Sequence, residues 1–159
     1  VYGLIRQESR FLLDARSAVG ASGLMQLMPA TARWTAKKLG IEWRPELITD
    51  RDVNLRLGMS YLKLLLDDFG GSAVLAAAGY NAGPGRPRRW REGGTFEPAA
   101  WIEAIPFAET RNYVKNVIAN SLVYASVLGG KELPALEPRL GATIGPRDPK
   151  SPASDANLP

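Results

Sequence analysis

Val1-Tyr2-Gly3-Leu4-Ile5-Arg6-Gln7-Glu8-Ser9-Arg10-Phe11-Leu12-Leu13 opens the chain with an apolar pattern of helical period. Counted from position 8, Leu4, Ile5, Phe11 and Leu12 fall at i−4, i−3, i+3 and i+4, one face of a helix from about Tyr2 to Leu13. Arg6, Gln7 and Arg10 take the other side. The apolar stripe therefore has a carboxylate, Glu8, at its centre. A carboxylate on a buried face either finds a cationic partner or keeps its proton through a raised pKa. The pattern admits both outcomes: a salt bridge to a basic residue elsewhere, or a general acid tuned by apolar neighbours.

Helical periodicity continues outward from this stretch. A Ser- and Gly-rich loop over Ser17–Ser22 and a short apolar segment, Gly23–Met28, lead to Pro29, which starts a helix ending at Gly40. Thr49-Asp50 begins a long helix through Phe69, with Leu55, Met59, Leu62, Leu65 and Leu66 on one face, closed by Gly70-Gly71. Ser72 is a good N-cap for the small-residue segment Ala73–Asn81. Pro84–Trp90 and Pro98–Ala104 read as short helices. Pro106 opens a last long helix carrying Tyr113, Val117, Ile118, Leu122, Tyr124 and Val127. No strand pair, repeat or heptad seam is present, so the fold class is all-α. Leu4, Ile5, Phe11, Leu62, Leu65, Val117, Ile118 and Leu122 are the expected core.

Composition bounds the chemistry. The 159 residues suit one domain with a real core, residues 1–128, followed by a Pro-rich extended arm over 129–159. Six of the 12 prolines lie in that arm, which excludes a continuous helix and predicts an irregular, terminally disordered segment whose removal from Asp148 to Pro159 leaves activity and melting temperature nearly unchanged. There is no Cys and no His, which removes disulfides, zinc-finger sites and Cys or His nucleophiles. Acid–base work must fall on Asp, Glu, Lys or Tyr. No metal site or cofactor is expected. The net charge of +4 suits an acidic polymer or plain solubility. Arg86, Arg88, Arg89, Trp90 and Arg91 form the one basic–aromatic cluster that a nucleic-acid-binding domain would use. No stretch reaches the length of a membrane span, and the opening at Val1 reads as a mature or excised piece of a longer protein.

Three further segments accompany Glu8-Ser9. They are Gly20-Ala21-Ser22-Gly23-Leu24-Met25-Gln26-Leu27-Met28-Pro29, Ala78-Gly79-Tyr80-Asn81-Ala82-Gly83-Pro84-Gly85, and Ile105-Pro106-Phe107-Ala108-Glu109-Thr110-Arg111-Asn112-Tyr113-Val114. Singly, each has an ordinary explanation: Gly23 allows a tight turn, Gln26 caps a loop, Tyr80 fills a core, and Glu109 favours a helix N-terminus. Together, in this order and spacing, they resemble the soluble lytic transglycosylase family over about Val1 to Leu128. Gly79 before Tyr80 departs slightly from the family's usual Ala-Ala-Tyr-Asn.

The resemblance implies a lysozyme-like helical fold of the goose-type kind. It implies cleavage of the β-1,4 bond between N-acetylmuramic acid and N-acetylglucosamine in peptidoglycan, leaving a 1,6-anhydromuramoyl end. It makes Glu8 the catalytic acid and base, with Ser9, Ser17, Gly23, Leu24, Met25, Gln26, Met28, Tyr80, Asn81, Glu109 and Tyr113 as substrate-binding positions. It further implies peptidoglycan strands as the partner, an exported, periplasmic setting, and a monomer that does not bind nucleic acid. A goose-type muramidase hydrolysing the same bond is the alternative within enzymes. A non-catalytic glycan-binding module is the alternative outside them.

Overall fold

A computed structural model describes residues 1–152 and 154–159. Among the described residues eight α-helices follow in chain order: α1 Tyr2–Glu8, α2 Pro29–Leu39, α3 Arg51–Asp68, α4 Ala73–Ala82, α5 Gly85–Trp90, α6 Pro98–Glu103, α7 Ala108–Gly129 and α8 Glu137–Leu140. Short 3-10 turns cover Pro45–Thr49 and Arg91–Gly93. Among the described residues no β-strand forms. Only isolated antiparallel bridges occur: Arg16 with Ser22, Ser22 with Leu27, and Phe96 with Ile144.

Local chemistry sets most boundaries. Pro29 starts α2, and Gly40 in the left-handed region ends it. The Asp50 side chain accepts from Val53 N–H and caps α3; Ser72 does the same for α4 through Leu75 N–H. α4 is the centre of the domain. Val74, Leu75, Ala76, Ala77, Ala78 and Gly79 are all buried, as a helix apolar on every side must be. α3, α5 and α7 pack around it. α1 lies directly on α7, and Gly3 makes that approach possible. A Cβ there would fall 2.7 Å from the Val117 carbonyl oxygen and 2.6 Å from the Ser121 nitrogen.

The core has two parts. The larger joins Leu4, Ile5, Leu65, Val74, Leu75, Trp101, Val114 and Ile118 with their neighbours. The smaller joins Leu27, Ala32, Ala36, Ile48 and Leu57. Tyr80, at the end of α4, packs against both.

Three expectations are corrected. The first helix stops at Glu8, not Leu13. Ser9 Oγ accepts from Phe11 N–H, and Arg10 and Phe11 turn left-handed at φ 53° and 68°. Phe11 and Leu12 therefore leave the helical face and are 39% and 60% exposed; Phe11 instead packs on Tyr2 and Tyr124. The buried face of α3 is Asn54, Leu57, Gly58, Tyr61 and Leu65, the right period in a different phase. Leu55, Leu62 and Leu66 are half-buried and Met59 is exposed. The phase shifts because Asn54, polar by type, has buried partners waiting for it in the loop before α2.

The third correction is the arm. It holds one helical turn, α8, with Pro138 in its first turn, and a bridge from Ile144 to Phe96. Leu140, Ile144 and Leu158 are buried in the larger core. Prolines stop a long helix there, but the apolar residues between them still anchor the chain. A cavity of about 860 Å³ lies between this arm and the α3–α4 corner, lined by Phe69, Ser72, Arg91, Thr95 and Ile144 among others.

Candidate functional site

Glu8 is the last residue of α1, half-buried where α1 meets α7. Tyr113, on α7 and 5% exposed, donates its hydroxyl to Glu8 Oε1 at 2.5 Å. That is the only hydrogen bond to Glu8 among the described residues, and no cation pairs with it there. Oε2 has no hydrogen-bond partner among the described residues. Burial raises the Glu8 pKa from its ordinary 4.5 to about 7, and the Tyr113 bond pulls the other way without cancelling it. Of the two outcomes open to the sequence, no salt bridge to Glu8 forms among the described residues, and burial favours the protonated carboxyl. Burial, then the charge of Glu8, pushes the Tyr113 hydroxyl well above its usual range. The Tyr80 hydroxyl shifts the same way for the same two reasons. Both phenols stay neutral donors.

The loop before α2 is built from its own backbone. Ser22 and Leu27 exchange N–H···O bonds at 3.1 Å. Ser17 Oγ accepts from Ala21 N–H at 2.9 Å. Gln26 turns left-handed at φ 45°, a conformation costing about 1–3 kcal/mol for such a residue. Its side chain offsets this by donating Nε2 to the carbonyls of Ala15 and Gly23, both at 2.9 Å. Gly23 sits at φ +79° against Asn54; a Cβ would lie 2.4 Å from Asn54 Nδ2.

Asn54 is a residue the sequence reading missed. It is fully buried on α3 and makes three bonds, two to the loop before α2 and one to the 3-10 turn Pro45–Thr49. Oδ1 accepts from Met25 N–H at 2.8 Å, and Nδ2 donates to the Ser22 and Ile48 carbonyls at 3.0 and 2.7 Å. Its signal was available: it shares the 54, 57, 58, 61, 65 stripe with apolar residues, as Glu8 shares the stripe of α1. The Met25 carbonyl is held from the other side by the Tyr80 hydroxyl at 2.9 Å. The Tyr80 ring rests on Tyr61, with centroids 5.4 Å apart.

At the N-terminus of α7, Thr110 Oγ1 donates to Asn81 Oδ1 at 2.7 Å, and Asn81 Nδ2 faces Glu109 Oε1 at 3.5 Å. Glu109 is exposed and turned to Asn81.

Glu8, Tyr113, Tyr80, Asn81 and Glu109 thus come together along the α1–α4–α7 junction. The loop carrying Gln26 reaches them through the Met25 carbonyl. Other expected positions face elsewhere. Ser9 is 4% exposed and spends its hydroxyl on the Ile5 carbonyl and Phe11 N–H. The side chains of Leu24 and Met25 lie in the core. Met28 is 41% exposed and free to touch a ligand. Among the described residues no cluster of His, Cys, Asp or Glu could hold a metal ion. The large cavity under the arm contains none of these groups.

The all-helical domain that carries Glu8 has the lysozyme-like fold, and solved lytic transglycosylase structures superpose on it. The chain belongs to the Transglycosylase SLT domain family, which matches residues 1–100. The soluble lytic transglycosylase helical domain family matches residues 104–132. A soluble lytic murein transglycosylase of Salmonella typhimurium is 44% identical over 81% of this chain, and one of Escherichia coli is 43% identical over 80%. The chain spans about a fifth of the length of these relatives (21% and 20%). The crystal structure of an inactive mutant of lytic transglycosylase Slt from Pseudomonas aeruginosa is 47% identical, with a TM-score of 0.78 over 82% of this chain and 22% of its own.

Proposed function

We propose that this chain is the catalytic part of a peptidoglycan lytic transglycosylase, acting in the bacterial cell envelope. It would cleave the bond from N-acetylmuramic acid to N-acetylglucosamine without adding water. Residues 1–128 would form the catalytic unit, with 129–159 strapped along it. The observation that carries this reading is Glu8: one carboxyl with a pKa near 7, braced by Tyr113, in a family of transglycosylases.

The chemistry follows from the two oxygens. Tyr113 donates to Oε1, so the acidic proton belongs on Oε2. Oε2–H protonates the glycosidic oxygen as the bond to the muramic anomeric carbon breaks. The carboxylate then accepts the proton of the muramic 6-hydroxyl while that oxygen bonds to the anomeric carbon. The acetamido group of the same sugar shares the developing positive charge. One carboxyl serves twice, and Glu8 ends as it began, protonated. Ordinary glycosidases use two carboxyls; here Glu109 lies at the exposed rim beside Asn81, and burial and Tyr113 alone shift Glu8. Asn81, Glu109, Gln26 and Met28 would line the glycan path, while Ser9, Ser17, Gly23, Leu24 and Met25 would shape it from behind.

The test is product mass. Digesting purified peptidoglycan should give muramic ends lighter by one water, about 18 Da, than hydrolytic ends, and non-reducing. Glu8→Gln should fold and bind glycan yet lose at least about a hundredfold in rate. Mainly reducing ends would overturn the reading in favour of a muramidase. Activity of Glu8→Gln within a few-fold of the parent would remove Glu8 from the chemistry.

A further inference from the structure

Thr110 is 3% exposed, and its one side-chain bond is to Asn81 Oδ1. The amide on the other side faces a carboxylate, Glu109, which when ionised can only accept. Asn81 Nδ2 must therefore point to Glu109, Oδ1 must point to Thr110, and the Thr110 hydroxyl must donate. Glu109 sets this orientation, and the Thr110 hydroxyl, able to donate or accept, donates to the Oδ1 turned towards it. A third group shares the neighbourhood: Tyr80, adjacent to Asn81 on α4, feels the charge of Glu8. Along α7, Thr110 lies three residues before Tyr113, about 4.5 Å of helix rise from the tyrosine that holds Glu8.

We infer that Thr110 is a positioning residue that acts through Asn81, holding in place the amide that Glu109 orients, so that its second Nδ2 hydrogen is presented at the exposed edge of the site to an acetamido carbonyl of the glycan. The inference rests on the proposed reaction. With the opposite amide orientation the site would offer Oδ1 there, beside the Glu109 carboxylate, and would repel a carbonyl. Locking the orientation before binding spares the substrate that reorganisation. Every sugar of the glycan carries an acetamido group, so the donor serves the polymer without its peptides.

The experiment measures release of anhydro ends from peptide-free glycan strands by the full-length protein. Thr110→Val is near-isosteric and removes the hydroxyl, and with it the bond to Asn81 Oδ1. It should raise KM about three- to tenfold, the range for one hydrogen bond, with kcat within about twofold. Thr110→Ser should restore the parent KM. Asn81→Asp keeps an acceptor for Thr110 but replaces the N–H donor, and should lose as much as Thr110→Val. Adding Thr110→Val to Asn81→Ala should cost nothing further. A parent-like KM in Thr110→Val or Asn81→Asp overturns the inference. So does a Thr110→Val loss that falls on kcat or adds in full to Asn81→Ala. Failure of the proposed reaction is distinguished because the parent itself then releases no anhydro ends.

Discussion

Glu8 trades stability for its proton. In the unfolded chain its pKa is near 4.5, and in the folded chain it is about 7. Below pH 4.5 both states hold the proton and nothing is lost. Between 4.5 and 7 the unfolded state ionises first, so stability falls as pH rises; above 7 the penalty is constant. Glu8→Gln keeps the neutral shape and should be more stable than the parent at pH 8 by about 2–3 kcal/mol, discounted for Glu8's partial exposure. That is about 4–12 °C in Tm for a domain of this size. Melting curves at pH 8 and pH 4 check it: the gap should close at pH 4. An equal gap at both values would mean that Glu8 ionises freely in the fold. The raised pKa was legible in the sequence for a partly wrong reason. Leu4 and Ile5 do bury beside Glu8, but Phe11 and Leu12 do not. Desolvation comes instead from the α1–α7 contact, and Tyr113 lies 105 residues away, beyond the reach of local spacing.

At the scale of elements, the loop that carries Gln26 depends on a helix distant in sequence. Asn54 satisfies one N–H and two carbonyls inside the fold. Asn54→Ala leaves all three unpaired, and buried groups left so cost about 1–3 kcal/mol each before relaxation. We expect a loss of about 3 kcal/mol in stability and a larger proportional loss in activity, because Met25 also holds Tyr80. Denaturant unfolding beside rate measurement checks this. Stability within about 0.5 kcal/mol of the parent, the scatter of an ordinary surface change, would show that water replaces the side chain. The helices themselves were readable where the signal was a cap or a terminator: Pro29, Gly40, Asp50 and Ser72 all act where local chemistry puts them. Phase and pairing were not readable. Leu55 and Met59 looked like the inner face of α3, but apolar type does not reveal that a polar Asn54 has three partners. Gln26 was read either as a cap or as a site residue, and its Nε2 caps the loop.

Over the whole molecule, the Pro-rich segment after Gly130 is a strap and not a loose end. Its prolines told truly that no long helix forms, while Leu140, Ile144 and Leu158 gave no periodic pattern to show that each would find a place in the core. Leu158 is 7% exposed, and the Tyr61 hydroxyl donates to the Pro159 carbonyl at 2.8 Å. Asp155 N–H donates to Asp68 Oδ1 at 2.9 Å, and its side chain pairs with Lys38. The Asp68 side chain is buried and holds Arg88 through two bonds to Oδ2, while Arg88 also donates to the Asp155 carbonyl. Removing Asp148–Pro159 strips one side of this network and uncovers the site of Leu158. Burial of that leucine alone is worth about 2 kcal/mol, which corresponds to about 4–8 °C in Tm. Truncation should therefore lower Tm by at least that range, and Leu158→Ala should reproduce much of the loss. The second effect is subtler. Tyr61 joins the strap to Tyr80, whose hydroxyl holds the Met25 carbonyl. Below the new melting point the truncated protein should keep its product, since Glu8 and Tyr113 sit on α1 and α7, but turn over more slowly as Tyr80 loses its support. Thermal melting of both variants, with rates taken well below each Tm, is the check. An unchanged Tm in the truncation would make the arm a passive cover and return the fold to residues 1–128 alone.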